Sequence, residues 1–146
     1  MINQHLSILF PQKAKKFMDK NKDGLLWFEY ADNDLEAVTI LSGQLKPKYE
    51  IVCYHCQQCA EKMLKGYIAY NNGRLQKTHD LVVLCETSAN YDVEFESILE
   101  ICSDLTIYAS EVRYPNLMQI ENYHMKKAME NAKLIRYFVL KKVSIH

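Results

Sequence analysis

Turn-forming residues are scarce in this chain, which has 4 glycines and 3 prolines among its 146 residues. β-Sandwiches and β-barrels need such residues about every 8–12 positions, because each of their short strands ends in a turn. The scarcity therefore disfavours these folds and favours long helices with short connections. The length corresponds to about one domain and is sufficient to bury one hydrophobic core.

An excess of either charge is also absent, since 18 basic residues balance 18 acidic ones. Proteins that coat DNA usually have a strong basic excess, so this class is disfavoured. The charges are nevertheless unevenly distributed, and a local basic face for an anionic ligand and an ordinary solvated surface both fit the pattern; the solvated surface is the simpler interpretation. The basic groups near the two ends are Lys13, Lys15, Lys16, Lys20, Lys22, Lys126, Lys127, Lys133, Arg136, Lys141 and Lys142, and the acidic stretch between them contains Glu86, Asp92, Glu94, Glu96, Glu100 and Asp104.

Long hydrophobic runs are missing as well. The apolar run from Leu6 to Phe10 is too short for a signal peptide and is interrupted by Ser7. No stretch reaches the ~18 apolar residues of a membrane span. The 5 cysteines show no disulfide-scaffold spacing, and their odd number favours a reducing compartment. We therefore expect a cytoplasmic protein.

The chain divides into two parts by composition and periodicity. Residues 1–23 are interpreted as a basic leader with one short helix around residues 11–18, and residues 24–146 as a helical bundle. The segment Asn21–Gly24 is typical of a turn. A helical period then starts at about Leu25 and stops at Pro47. The apolar positions of this first helix are Trp27, Ala31, Leu35, Val38, Leu41 and Leu45.

Four further helices are predicted. The second spans about Tyr49–Tyr70, and a short third one has Thr78 as N-cap and Asp80 in its first turn. The fourth runs from about Val93 to Pro115, and the fifth from about Ile120 to Val143. Long helices with short links predict an all-α fold, an antiparallel up-and-down bundle of four to five helices. The apolar positions of the second helix are Cys53, Cys56, Ala60, Met63 and Tyr67.

The second helix has a polar row beside its apolar positions. His55, Gln58, Lys62 and Lys65 follow the three-or-four spacing that places side chains on one helix face. Such a row offers fixed hydrogen-bond donors to an anion. The alternative is a polar helix edge with Glu61 and Lys65 as an ordinary i,i+4 pair, and spacing alone favours this alternative.

Three cysteines on the second helix resemble a metal motif at first sight. Zinc sites of the C-x-x-C type place their ligands around turns, whereas Cys53, Cys56 and Cys59 lie within one predicted helix. Buried small apolar side chains are therefore the favoured interpretation, and we expect no metal site and no cofactor.

Two other segments contain groups suited to an anionic ligand. Lys77–Leu81 begins the third helix, where free backbone N–H groups favour anions and His79 can titrate near neutral pH. A capping role for this segment is equally compatible with the sequence. Arg113-Tyr114-Pro115 closes the fourth helix, and an arginine there also complements the helix dipole.

Together these segments resemble the HEPN (higher eukaryotes and prokaryotes nucleotide-binding) domain family. The resemblance covers roughly residues 25–140 and places four family landmarks in order. They are Trp27…Ala31…Asp34-Leu35, then Tyr54-His55-x-Gln57-Gln58-x-Ala60-Glu61-Lys62-x-Leu64-Lys65, then Lys77-Thr78-His79-Asp80-Leu81, and then Arg113-Tyr114-Pro115.

The resemblance implies a helical bundle that usually forms a homodimer and binds nucleotides or RNA. Many family members act beside a minimal nucleotidyltransferase in toxin–antitoxin pairs, so such a partner protein is expected. The residues carried over as a nucleotide-binding site are His55, Gln58, Glu61, Lys62, His79, Asp80, Arg113 and Tyr114. Glu61 and Lys62 are equally suited to holding helices together.

Ribonuclease members of the family have an arginine followed by a histidine within about four to six positions, where the histidine moves the proton and the arginine stabilises the phosphate. Here the histidine that follows Arg113 is His124, eleven positions later. The motif is absent, and the candidates for a catalytic role are Arg113, His79 and His124. A metal-independent endoribonuclease and a purely structural dimerisation domain are therefore the alternatives to a binding module.

Dimerisation has separate support in the first helix. Trp27, Phe28 and Tyr30 are close neighbours and cannot all face one bundle core. We expect some of these aromatic residues to lie on a partner surface.

Overall fold

The computed structural model describes residues 22–110 and 119–143. Within these ranges two 3₁₀ segments, Val93–Ile98 and Ile107–Ala109, flank the fourth α-helix, and no strand is present. The fold is an antiparallel up-and-down helical bundle, which confirms the predicted class. None of the described helices is both long and apolar enough to cross a bilayer. The helices are α1 (Lys22–Ser42), α2 (Tyr49–Tyr70), α3 (Leu81–Ala89), α4 (Leu99–Thr106) and α5 (Asn122–Val143).

Helix α2 lies at the centre of the bundle and packs against both α1 and α5. Its bounds are those predicted, and its five predicted apolar positions are all buried. Burial of such side chains is the main stabilising term of the fold. Helices α1 and α5 are joined by Arg136, whose guanidinium donates to the Asp32 carboxylate through Nε at 2.6 Å and Nη2 at 3.3 Å.

Helix α1 differs from its prediction at both ends. It begins at Lys22, so the turn expected at residues 21–24 is wrong for its described part. It ends at Ser42, and Leu45 lies beyond it, fully exposed. Residues 1–21 lie outside the described residues, so the leader and its short helix stay predictions.

Two glycines explain why α1 starts early. A Cβ at Gly24 would lie 2.8 Å from the Gly66 carbonyl oxygen, and a Cβ at Gly66 would lie 2.5 Å from the Phe28 ring. Gly24 therefore serves a close helix–helix crossing instead of a turn. The same crossing buries Phe28 completely, while Trp27, which the periodicity placed in the core, stays partly exposed.

The segments after α2 also differ in detail from the prediction. Asp80, not Thr78, is the N-cap of α3, because its carboxylate accepts from the Val82 N–H at 2.9 Å. The fourth helix is α-helical only from Leu99, since the preceding turn is 3₁₀ and capped by Asp92. Its predicted end at Pro115 lies outside the described residues.

Candidate functional site

A band of polar residues runs along α2, on the side away from the cysteines. We call it the polar arc. Two buried carboxylates organise it, Asp34 from α1 and Glu61 from α2 itself, with exposed fractions of 8% and 4%. The polar arc consists of His55, Gln57, Gln58, Glu61, Lys62 and Lys65.

The Asp34 carboxylate bridges the first part of the arc. It accepts hydrogen bonds from His55 Nδ1 at 2.8 Å and, through its other oxygen, from Lys62 Nζ. His55 and Lys62 lie two helical turns apart on α2, and α1 crosses between them at Asp34. A charge this deeply buried is tolerated because both of its oxygens have cationic or N–H partners.

The Glu61 carboxylate organises the second part. It accepts from His79 Nδ1 at 3.0 Å, from Lys65 Nζ at 3.0 Å and from Gln57 Nε2 at 3.3 Å. The predicted i,i+4 pair of Glu61 and Lys65 is therefore present. It is not a surface pair, because both side chains are less than a tenth exposed. Breaking it would leave a buried ammonium without its counter-ion.

Both histidines are oriented in the same way by these carboxylates. An ionised carboxylate only accepts hydrogen bonds, so Nδ1 of each ring carries the proton and Nε2 is left for another partner. Among the described residues no hydrogen bond reaches Nε2 of His55 or His79. The His55 side chain is 29% exposed and that of His79 is 68% exposed. The arrangement presents two oriented ring nitrogens to solvent.

The carboxylates and ammonium groups of the site balance in charge. Asp34 and Glu61 balance Lys62 and Lys65, so these four groups sum to zero. Each carboxylate thus has one lysine and one histidine as partners.

The position of His79 is also fixed through its main chain. Its carbonyl oxygen accepts from Gln57 Nε2 at 3.0 Å and from Thr106 Oγ1 at 3.4 Å. The Thr106 hydroxyl in turn accepts from the Leu81 N–H at 2.9 Å. The start of α3 is therefore attached to α2 and to α4.

Five of the eight predicted site residues lie in this region. His55, Glu61, Lys62 and His79 bond to the two carboxylates or are one of them, and Gln58 joins through a 2.8 Å hydrogen bond to Gln57. Of the other three, Asp80 caps α3, and Arg113 and Tyr114 lie outside the described residues.

His124, a catalytic candidate from the sequence, lies at the start of α5. Its Nδ1 accepts from the Glu121 N–H at 3.0 Å, and its ring packs on Tyr123. In the part of the chain that the structure describes, it makes no hydrogen bond with the polar arc. The hydrogen bond from the Glu121 N–H indicates that His124 stabilises the start of α5.

Asp34 and Gln57 were not predicted as site residues, and Lys65 was predicted only as a member of the polar row on α2. A signal existed for Asp34, since it follows Ala31 by three positions and precedes Val38 by four, both of which are buried. An acidic residue on a core stripe needs a buried partner. Gln57 is fully buried and supports both Glu61 and His79, which its polar character alone did not indicate.

The cysteines of α2 are part of the core. Cys53, Cys56 and Cys59 are completely buried, and burial raises the pKa of Cys53 and of Cys59 to about 12. A thiol that stays protonated at neutral pH is a poor nucleophile and a poor metal ligand. Across residues 22–110 and 119–143, no group of three or more His, Cys, Asp and Glu side chains is placed to hold a metal ion.

Comparison with known proteins identifies the family. Searches of curated proteins and of solved structures gave no significant match. The family model of the HEPN domain matches residues 25–143, which include α2 to α5 and nearly all of α1. The match covers most of the chain, and the two buried carboxylates lie within it. The chain belongs to the HEPN domain family, a family related generally to nucleotides and RNA.

Proposed function

We propose that this protein binds a nucleotide or RNA through the polar arc and His79, and that it acts as a homodimer with a nucleotidyltransferase partner in a toxin–antitoxin-like pair. The observation that carries the binding proposal is the pair of imidazoles held by buried carboxylates, since no hydrogen bond from the described residues reaches Nε2 of either ring. The Lys62 and Lys65 ammonium groups beside them are charged N–H donors, which are suited to phosphate oxygens.

Calorimetric titration with ATP, GTP and a short RNA tests the proposal. We expect His79→Ala to weaken binding about tenfold, which is the usual loss for one charge-assisted hydrogen bond. Lys62→Ala should also weaken it, and Lys127→Ala is the matched control because that side chain is 61% exposed on α5. Arg113→Ala extends the test to the fourth family landmark. Equal binding by all variants would reject the arc as the site.

A second candidate activity is metal-independent endoribonuclease action. His79 has the geometry of a general acid–base, because Glu61 holds its Nδ1 while its Nε2 faces solvent. RNA cleavage in the presence of EDTA, lost in His79→Ala or His124→Ala and in Arg113→Ala, would establish this activity. Cleavage that persists in all three variants would come from a contaminating nuclease.

The homodimer and the partner protein are tested separately from the ligand. Light scattering at micromolar concentration should give twice the 17.1 kDa chain mass. Co-expression with a nucleotidyltransferase encoded beside this chain should give a complex that survives purification. A dimer that binds neither nucleotide nor RNA would identify a structural dimerisation domain instead.

A further inference from the structure

A groove lies next to the polar arc, between α1, the end of α2 and the loop that follows it. Its volume is about 460 Å³, and its lining includes Trp27, Tyr30, Leu26, Lys65, Leu75 and Asp23. Ligand sites for small molecules usually have volumes of about 300–1,000 Å³. We call this the aromatic groove. It is large enough for a heteroaromatic ring system.

The lining of the aromatic groove combines aromatic rings with a buried ammonium group. Tyr30 is 51% exposed, and Trp27 is partly exposed although both lie on the otherwise well-packed α1. Lys65 Nζ lies 5.8 Å from the centre of the Trp27 ring. Aromatic walls favour a flat ring that stacks on them, and such stacking contributes to the binding of every nucleobase.

Lys65 connects the groove with the polar arc. Lys65 is one of the residues that line the groove, and its ammonium donates to Glu61, the carboxylate that holds His79. A ligand with a ring in the groove would therefore have its other end near the exposed His79 imidazole. The loop between groove and histidine also contains the exposed Arg74 and Lys77. A ligand with a planar base at one end and a phosphate at the other would match the aromatic groove and the neighbouring basic loop and histidine.

The acidic group of the groove narrows the choice of base. Asp23 lines the groove and is exposed, and among the described residues its carboxylate has no ion pair or hydrogen-bond partner. A carboxylate accepts two hydrogen bonds side by side. The Watson–Crick edge of guanine presents two adjacent N–H donors, whereas that of adenine presents one donor beside an acceptor. Two carboxylate oxygens thus complement guanine and repel the adenine ring nitrogen.

We propose that the aromatic groove binds the base of a guanine nucleotide, stacked on Trp27 and Tyr30 and hydrogen-bonded to Asp23, with its phosphate directed toward His79. This inference rests on the proposed function and names its ligand. It assigns the base to α1 and the phosphate to the polar arc. The two ends of the ligand can therefore be tested independently.

Trp27 is the one tryptophan of the chain, so its fluorescence reports on the groove directly. The full chain is titrated with GMP, AMP, guanosine and ribose 5-phosphate. We expect saturable quenching by GMP, weaker quenching by guanosine, and none by ribose 5-phosphate. GMP should bind about fivefold more tightly than AMP, the discrimination of one modest bidentate contact at an exposed carboxylate.

Variants separate the base contacts from the fold. Tyr30→Ala should weaken GMP binding about tenfold by loss of stacking. Tyr137→Ala is the matched control, since that tyrosine is 62% exposed on α5, and it should bind GMP as the parent does. In Asp23→Asn the ratio of the affinities for GMP and AMP should fall to about one, because the amide replaces one of the two acceptor oxygens with a donor.

The outcomes distinguish the two proposals. If GMP binds by calorimetry but Trp27 fluorescence and the Tyr30→Ala affinity stay unchanged, the groove assignment is overturned and binding at the polar arc stands. Equal affinity for GMP and AMP overturns the guanine assignment. If Trp27 is inaccessible to iodide in the free protein, residues 1–21 or a second copy cover the groove, and the proposal is rejected. If no nucleotide or RNA binds at all, both proposals fail.

Discussion

Both sides of α2 contain deeply buried residues, but these are stabilised in different ways. On one side Cys56, Ala60 and Met63 are fully buried, and on the other Glu61 and Lys65 are at most 8% exposed. An apolar side chain gains stability from any close-packed neighbour, roughly in proportion to the area it buries. Burying a charge costs several kcal/mol of desolvation free energy. Its partners offset this cost only when each of them is correctly placed.

This difference shows where the bundle depends on particular residues. The partners of the polar arc come from other segments, Asp34 from α1 and His79 from the loop before α3. Replacing one member leaves the others buried without a partner, whereas a change on the apolar side leaves a void of limited size. The polar side should therefore be the more sensitive of the two to single substitutions.

The largest expected effect concerns the thiols of the apolar side. Labelling of Cys53, Cys56 and Cys59 by a thiol reagent at pH 8 should be about 10³-fold slower in the folded protein than in urea, because the unfolded fraction is on the order of 10⁻³ or less. The raised thiol pKa values strengthen this protection. Mass spectrometry of the labelled chain measures it, and fast labelling of any α2 thiol would contradict the described core.

The same thiols predict a pH dependence of stability. Burial raises the pKa of Cys53 and of Cys59 to about 12 from an ordinary value of 9.0. Above about pH 9 the unfolded chain loses these protons while the folded chain keeps them, so the free energy of unfolding decreases as pH rises. Below pH 9 this contribution is constant.

The next largest effect is expected from the polar side. Glu61→Ala removes the carboxylate that Lys65 and His79 share, and we expect the free energy of unfolding to fall by about 3–5 kcal/mol. Urea denaturation measures this change, with Glu86→Ala on the exposed side of α3 as control. The double replacement of Glu61 and Lys65 by methionine should recover most of the loss. Equal stability of the single and double variants would contradict the claim that the loss arises from leaving Lys65 buried without its counter-ion.

A smaller effect is expected at the border between the two sides, where α1 crosses α2. Gly66→Ala would place a methyl group 2.5 Å from the Phe28 ring and 2.9 Å from Trp27 Cβ, and we expect it to cost about 2–3 kcal/mol through overpacking. Gly43→Ala is the control, since its Cβ would meet its nearest neighbour at 3.4 Å. Thermal melting of both variants compares them, and similar melting temperatures would refute the close crossing.

The smallest effect is expected for an ion pair outside α2. Asp92 accepts from Lys142 Nζ at 2.9 Å, and this hydrogen bond, with that from the Glu94 N–H, lowers the pKa of the carboxyl. A lowered pKa adds stability above the ordinary value of 3.8, and this stability is lost as pH falls through the lower folded-state value.

Asp92→Asn should therefore cost about 0.5–1 kcal/mol at pH 7 and less at a pH below the ordinary value of 3.8. The amide oxygen keeps the cap at Glu94, so the substitution reports on the charge alone. Glu130→Gln is the control, because that exposed pair with Lys127 has a separation of 4.0 Å. Parallel urea titrations at the two pH values measure both variants. If Asp92→Asn lowered the free energy of unfolding as much as Glu61→Ala does, burial would not determine how much stability is lost when an ion pair is broken.

Much of the fold could be predicted from periodicity alone. The bounds and apolar side of α2 were correct because its 22 residues contain no proline and end at a strong capping signal. The start of α1 could not be predicted, since Gly24 has the local signature of a turn and only the crossing with Gly66 explains it. The 3₁₀ conformation of the segment before α4 was not predicted either, because the spacing of apolar residues does not distinguish it from an α-helix.

The candidate site was only partly predictable. Spacing placed His55, Gln58 and Lys62 on one face of α2, which the structure confirms. Spacing could not place Asp34 or His79 beside them. The contacts of Asp34 with His55 and of His79 with Glu61 join residues that are 21 and 18 positions apart in the sequence, so they depend on tertiary packing. Asp80 caps α3, and the sequence could not separate this role from ligand binding, since a capping carboxylate and a ligand-binding one occupy the same sequence position at a helix start.

The carbonyl oxygen of His79 is held by Gln57 and by Thr106, so the backbone at this histidine is fixed in the folded chain. For a ligand at the proposed site, the entropy of ordering this backbone would be lost on folding and not on association, which would leave more of the contact energy for affinity. The proposed binding should accordingly be a one-step process without a slow conformational phase.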